Sequence, residues 1–369
     1  MRIQFLSAAY LPAVGGIEVL LQHLCRQLRD HGHQVEIVTA EASGPEEVDG
    51  VAVHRLDLQT PMRARDVRGL HRVHRRLDDI TARFAPDVVH SHDMGALLWL
   101  HRRATRTTPR PLVVTVHNVM TQHLDEVAEA QGPMGQLLES ADVVTAVSRH
   151  ALEDTLTYVP SLDGRIRYLP NGVPAPPPHD PDVSADPCQV LFVGRLTSQK
   201  GVDVLIDAMA QVHRDAPEVR LLVVGDGPDR TVLQDAAADH GLEGVVRFVG
   251  RVDTSAVRDL MARSALVAMP SRYEGLPLVA LEAAWARRPV LGTRVPGLSE
   301  AVVDDRTGVL VPSEDPTALA RAMVDLLADP ARRRTLGEAA RRRAEDEYGL
   351  ERCVQRYETI YRQLATTPR

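Results

Sequence analysis

Short β-branched runs alternate with amphipathic stretches along almost the whole of this chain, and the alternation is interrupted once. "RIQFLSA" precedes a helical pattern from about Ile17 to Asp30, and "QVEIVTA", "DVVHSH", "PLVVTVH" and "DVVTAVS" follow as strands. This rhythm builds a parallel sheet covered by helices on both faces. At "LPNGVPAPPPHDPDVSADP" it stops: seven prolines fall between Pro170 and Pro187, which exclude a helix or a central strand. The alternation then resumes with "QVLFVG", "VRLLVVG", "VVRFVG", "ALVAM", "PVLGT" and "GVLVP". The expected fold is α/β, with two Rossmann-like domains in tandem and the ligand in the cleft between them. The expected boundaries are 1–170 for the first domain, 171–187 for the linker and 188–349 for the second. Residues 350–369 are expected to form a terminal helix.

The length of 369 residues suits two domains, and 44% hydrophobic with 25% charged residues suits a globular chain. A net charge of −7 argues against nucleic acid as a partner. Cys25, Cys188 and Cys353 are odd in number and widely spaced, so neither a disulfide framework nor a zinc site is expected. With an N-terminus unlike a signal peptide and no apolar run of about 18 residues, the expected location is the reducing cytoplasm.

Four stretches carry the chemistry. In "SRYEGLPLVALEAAW", Glu274 and Glu282 flank an expected helix start, with Pro277 in its first turn. Open amides near Gly275, Leu276 and Leu278, at the positive end of the helix dipole, suit a diphosphate. Each carboxylate accepts two hydrogen bonds, which matches a sugar or ribose diol. For the pair alone, a loop acid and a solvated helix acid is the plainer reading. In "FVGRLTSQKG", Arg195 and Lys200 stand where a strand gives way to a helix, placed to neutralise a diphosphate leaving group. Gly15 and Gly16 in "YLPAVGGIE" allow close approach of backbone to phosphate, although a plain turn explains them as well. His117 ends the strand of "VVTVHN", and His90 and His92 end that of "VVHSHD", where they are expected to line the acceptor side of the cleft.

Together with "HGHQVEIVT", "VSRHALED", "LLVVGDGP" and "VRFVGRV", these stretches resemble the GT-B glycosyltransferases, specifically the retaining enzymes of family four. The resemblance implies that Arg195 and Lys200 bind the donor diphosphate, and that Glu282 holds the ribose. It implies that Glu274 and His117 meet the transferred sugar, that Gly16 offers an amide to phosphate and that Arg251 lies beside the base. It further implies a nucleotide-sugar donor, a uridine diphosphate sugar foremost, a hydroxyl acceptor, no metal or other cofactor, and a terminal helix, 350–369, that crosses back onto the first domain. The one D-x-D, Asp180 to Asp182, falls among the prolines and is read as chance. A nucleotide-sugar epimerase, a glycan phosphorylase and a non-catalytic sugar-nucleotide binder remain alternatives on the same architecture.

Met62–Arg76 holds six arginines and one aspartate. On a single helix, Leu70, Val73, Leu77, Ile80 and Phe84 form an apolar stripe, while Arg65, Arg68, Arg72, Arg75 and Arg76 gather on another face. That face suits an anionic acceptor or a peripheral contact with an anionic membrane. A solvated helix packed on its domain is the competing expectation. The arginine triplets at 332–334 and 341–343 are expected to be solvated.

Overall fold

The computed structural model describes residues 1–13, 15–104, 109–118, 132–176 and 185–366. The chain divides into two compact units: Met1–Gly172 together with Leu350–Arg369, and Val173–Gly349. Residues 177–184 of the proline-rich stretch, the Asp180–Asp182 pair included, lie outside the described residues.

Among the described residues, the first unit is built on eight strands: β1 (Arg2–Ser7), β2 (Gln34–Thr39), β3 (Glu47–Val48), β4 (Val51–Arg55), β5 (Val88–Ser91), β6 (Leu112–Val116), β7 (Val143–Ala146) and β8 (Ile166–Tyr168). Their order is β3-β4-β2-β1-β5-β6-β7-β8, parallel except for the β3–β4 pair. Unexpected from the sequence were β3 and β8, the two edge strands, and β4, which lies next to β3. The β3–β4 turn was nevertheless visible as an Asp49-Gly50 dipeptide, and both residues take positive φ, 49° and 75°, as a tight hairpin requires. Strand order reverses between β1 and β5, so the loops leaving those strands flank the crevice where such sheets bind ligands. The helix Gly16–Asp30 starts after β1, His92 follows β5 and His117 follows β6.

The second unit has six parallel strands: β9 (Gln189–Val193), β10 (Arg220–Val224), β11 (Val246–Gly250), β12 (Leu266–Met269), β13 (Val290–Thr293) and β14 (Gly308–Val311). Their order is β11-β10-β9-β12-β13-β14. On β9, Val190 and Phe192 enter one apolar cluster and Leu191 the other, so both faces of the sheet are covered. Here strand order reverses between β9 and β12, whose loops carry Arg195 with Lys200 and Ser271 with Glu274 respectively. Two glycines let the loop after β9 pack closely on the loops after β10 and β12. A Cβ on Gly225 (φ 133°) would stand 1.8 Å from the Gly194 carbonyl oxygen, and one on Gly201 (φ 63°) 2.1 Å from that of Pro270.

The helix Leu350–Thr366 belongs to the first unit. It buries Leu350, Cys353, Val354, Tyr357, Ile360 and Tyr361 along one stripe. Glu358 on the same helix accepts from His31 Nδ1 at 3.0 Å and His33 Nε2 at 2.8 Å, beyond the end of the first helix.

The arginine triplets are solvated only in part: Arg334 and Arg342 are exposed, as expected, but Arg333 is buried and Arg341 and Arg343 are partly buried. Arg333 is buried and donates to the Leu326 and Leu327 carbonyls, the last turn of helix Pro316–Ala328. Arg341 donates to Trp285 O at 2.6 Å and lies over the Trp285 ring, and Arg343 donates to Ala301 O at 3.0 Å. One helix, Pro330–Glu347, thus supplies charged donors to the carboxyl ends of three others. The partners of Arg341 and Arg343 are 56 and 42 positions away, which is why that triplet read as solvated.

Candidate active site

The loop after β9 begins at Gly194 and tightens into a 3-10 turn, Ser198–Lys200, before the helix Val202–Asp215. The loop after β12 runs from Pro270 to Pro277 and ends at the helix Leu278–Trp285. The two loops are fastened together at several points. Arg272 N–H donates to Gln199 O at 2.8 Å, and Gln199 Nε2 to Tyr273 O at 3.2 Å. Arg272 also donates to the Ser198 carbonyl and pairs with two carboxylates, Asp203 at 2.7 Å and Glu314 at 2.6 Å. These carboxylates hold the Arg272 guanidinium well above its ordinary range, and the guanidinium in turn holds the Asp203 carboxyl below its own.

This fastening brings Lys200 onto Glu274, with Nζ 2.6 Å from Oε1. Ser271 Oγ donates to the same oxygen at 2.7 Å. Glu274 is 5% exposed, and Oε2 accepts no hydrogen bond from the described residues. The result is a buried carboxylate held by a cation and a hydroxyl, with one oxygen left for an incoming donor. Ser271 and Arg272 were missed as site residues. The spacing Ser271-x-x-Glu274, that of a capping box, was the available signal for the first. The second had none, because Asp203 and Glu314 are remote in sequence.

Gly275 and Leu276 are buried, and their N–H groups have no acceptor among the described residues. Leu278 opens the helix, so its N–H is one that a helix leaves unpaired. Pro277 is the cap (φ −73°, ψ 119°), just ahead of the first turn in which it was expected. Its carbonyl accepts from Ala280 N in a tightened first turn at 3.1 Å. Glu282 therefore lies just over one turn into the helix. Its side chain is half-buried, and desolvation pushes the carboxyl up to about 7, with the charge of Arg258 pulling the other way. Arg195 is exposed, and no carboxylate of the described residues pairs with it. Arg251 is exposed at the end of β11, an edge strand two places from β9.

In the first unit, Gly16 is the exposed first residue of its helix, behind Gly15 in extended conformation (φ −149°, ψ 179°). His117 and His92 are both buried and hydrogen-bonded, Nε2 to Nδ1, at 2.7 Å. His92 is therefore not part of an exposed acceptor or lipid surface. His90 does not line a cleft either: it is fully buried on β5, with Nδ1 on Tyr361 Oη at 2.6 Å and Nε2 on Thr115 Oγ1 at 2.7 Å. Burial lowers the pKa of all three imidazoles, that of His117 to about 4.

The arginine-rich segment is two helices, Gln59–Arg63 and Val67–Phe84. Arg65 lies in the turn between them at φ 52°, not on the long helix. Arg68, Arg72, Arg75 and Arg76 are exposed, while Leu77 and Ile80 are buried in the core of the unit. Met62, Val67 and Trp99 are also exposed, and Trp99 is on the helix Ala96–Ala104, which packs against Val67–Phe84. Among the described residues, no helix is long and apolar enough to cross a membrane.

Solved structures share this architecture. Sucrose-phosphate synthase from Thermosynechococcus elongatus aligns over 98% of both chains at 27% identity, with a TM-score of 0.84. Anabaena Alr3699/HepE in complex with UDP-glucose aligns over 98% of this chain and 99% of its own, at 22% identity and a TM-score of 0.83. The two doubly wound units thus define the GT-B class of glycosyltransferases. Residues 14–175 match the family model described as Glycosyltransferase Family 4, and residues 180–343 match Glycosyl transferases group 1. A protein named glycogen synthase from Mycobacterium tuberculosis is 31% identical over 94% of this chain and 91% of its own length. The chain belongs to the family 4 glycosyltransferases, the family its motifs resemble.

Proposed function

We propose that this glycosyltransferase moves a sugar from a nucleoside diphosphate donor, a uridine diphosphate sugar first among them, to an acceptor hydroxyl. The anomeric configuration is retained and no metal is required. The observation that carries the reading is the Lys200–Glu274–Ser271 cluster at the switch point of the second sheet, beside an exposed Arg195. Cleavage of the sugar–phosphate bond leaves positive charge on the anomeric carbon and negative charge on the departing diphosphate. Arg195, Lys200 and the amides of Gly275, Leu276 and Leu278 stabilise the second charge. Glu274 Oε2 and His117 meet the transferred sugar, Glu282 the ribose, Arg251 the base, and the Gly16 amide a phosphate oxygen. The diphosphate oxygen takes the acceptor's proton as the new bond forms on the same face. The UDP-glucose complex of Alr3699/HepE supports the choice of nucleotide.

A ligand that binds only the folded chain raises its melting temperature. UDP-glucose is expected to do so more than GDP-mannose or ADP-glucose, with no added metal and with EDTA present. The glucose released by slow hydrolysis is expected to appear first as the α anomer in 1H NMR spectra. A chain whose melting no nucleotide sugar changes does not fit the reading. Release of the β anomer first would remove retention alone, and sensitivity to EDTA would remove metal independence alone.

The exposed arginines, with Met62, Val67 and Trp99 nearby, support a peripheral contact with an anionic membrane at its cytoplasmic face. Each basic residue at such a surface contributes about 1 kcal/mol. Cosedimentation with phosphatidylserine vesicles, absent with phosphatidylcholine and lost when Arg68, Arg72, Arg75 and Arg76 become glutamate, is the expected outcome. Equal recovery with both lipids would rule the contact out.

A further inference from the structure

The His92–His117 contact joins two imidazoles that burial keeps neutral. One nitrogen must donate across the 2.7 Å and the other accept, so this hydrogen bond sets the tautomer of both rings. The remaining nitrogen of His92, Nε2, is buried with no partner among the described residues. If His117 were the donor, His92 would carry its own proton on Nε2, as a buried N–H with nothing to accept it. If His92 Nδ1–H is the donor, Nε2 is only a bare lone pair. Orphaned buried N–H groups are the rarer of the two. His92 therefore donates, and His117 accepts on Nε2 and keeps its proton on Nδ1.

The His92 ring is itself clamped. Its centroid lies 4.3 Å from that of His90 and 5.8 Å from that of Phe5. His90 in turn is held at both nitrogens by Tyr361 and Thr115, and Thr115 Oγ1 lies 2.7 Å from Thr145 Oγ1.

We infer that His92 is a positioning residue, which fixes the ring and the tautomer of His117 so that His117 presents Nδ1–H as a permanent donor. The inference rests on the reading of His117 as the group that meets the donor sugar. It gives His92 a role inside the unit in place of the acceptor-side one its sequence position suggested.

Two variants separate the hydrogen bond from packing. His92→Phe keeps a ring in the stack and removes the donor, whereas His92→Asn keeps an N–H close to the position of Nδ1. With 15N-labelled histidine, two-bond 1H–15N spectra report which nitrogen of His117 is protonated, and His117→Gln assigns its signals. The expected wild-type result is a proton on Nδ1. In His92→Phe the proton moves to Nε2, and kcat for UDP release from UDP-glucose falls about 10- to 100-fold, the range for loss of a supporting hydrogen bond. KM stays within about twofold, because the nucleotide contacts are untouched. His92→Asn restores the Nδ1–H tautomer and most of kcat. A wild-type His117 protonated on Nε2 overturns the inference even if no variant folds. So does a His92→Phe enzyme with unchanged kcat while His117→Gln is impaired. Full turnover in His117→Gln would instead overturn the reading of His117 itself.

Discussion

Lys200→Ala lowers the rate of UDP release from UDP-glucose by about 10²- to 10³-fold, the effect of removing one preorganised donor from a developing anion. The same change destabilises the second unit. Glu274 is 5% exposed and takes one bond from Lys200 and one from Ser271, both on Oε1. Without Lys200, a buried carboxylate keeps only a neutral hydroxyl. Breaking a buried pair from one side costs about 3 kcal/mol, at the low end of the usual range because Lys200 is partly exposed. For a unit of this size that is a fall of roughly 5–10 °C in melting temperature. Lys200→Ala with Glu274→Gln recovers most of the lost stability, since no charge is then left unpaired, but none of the lost rate. Scanning calorimetry and a UDP-release assay separate the two effects. An unchanged rate in Lys200→Ala would show that the cation does not act on the leaving group.

The second large effect concerns pH. The Glu282 carboxyl is pushed from 4.5 up to about 7 by desolvation. Because the folded form holds this proton more tightly than the unfolded chain, the group costs no stability below about pH 4.5. Its penalty grows as pH rises from there to about 7 and is constant above. The full penalty is about 3 kcal/mol. Subtracting the stability of Glu282→Gln from that of wild type at each pH removes the contributions of other groups. The difference is expected near zero at pH 4 and about 3 kcal/mol in favour of the variant at pH 8. A flat difference across that interval would mean that Glu282 is solvated. Donor binding follows the opposite trend. In its proposed ribose-binding role, an ionised Glu282 accepts from both hydroxyls, so UDP-glucose affinity is expected to rise with pH through about 7 in wild type. In Glu282→Gln it is weaker and independent of this step. UDP-glucose suits the measurement because its diphosphate is esterified at both ends and does not titrate in the interval.

The apolar runs that became β1, β2, β5, β6, β7 and all six strands of the second unit were legible as strands, since local periodicity and flanking turn residues specify them. β3 and β8 were not, because two or three residues are too few to show a period, and β4 offers only Val51 and Val53 as buried apolar residues. Helix starts were legible to within a residue at Gly16 and Val202. Pro277 was misplaced by one position because a proline nitrogen suits the cap as well as the first turn.

What the sequence determined by itself is the alternation of strand and helix, its single interruption, and the attachment of Arg195, Lys200, Glu274 and Glu282 to strand ends and helix starts. Only tertiary structure decided that Lys200 meets Glu274, that Arg272 clamps their loops and that His92 bonds to His117. The physical reason is distance along the chain. Lys200 and Glu274 are 74 positions apart, and His90 and Tyr361 are 271. Such contacts follow from the order in which strands add to a sheet, which no local pattern encodes.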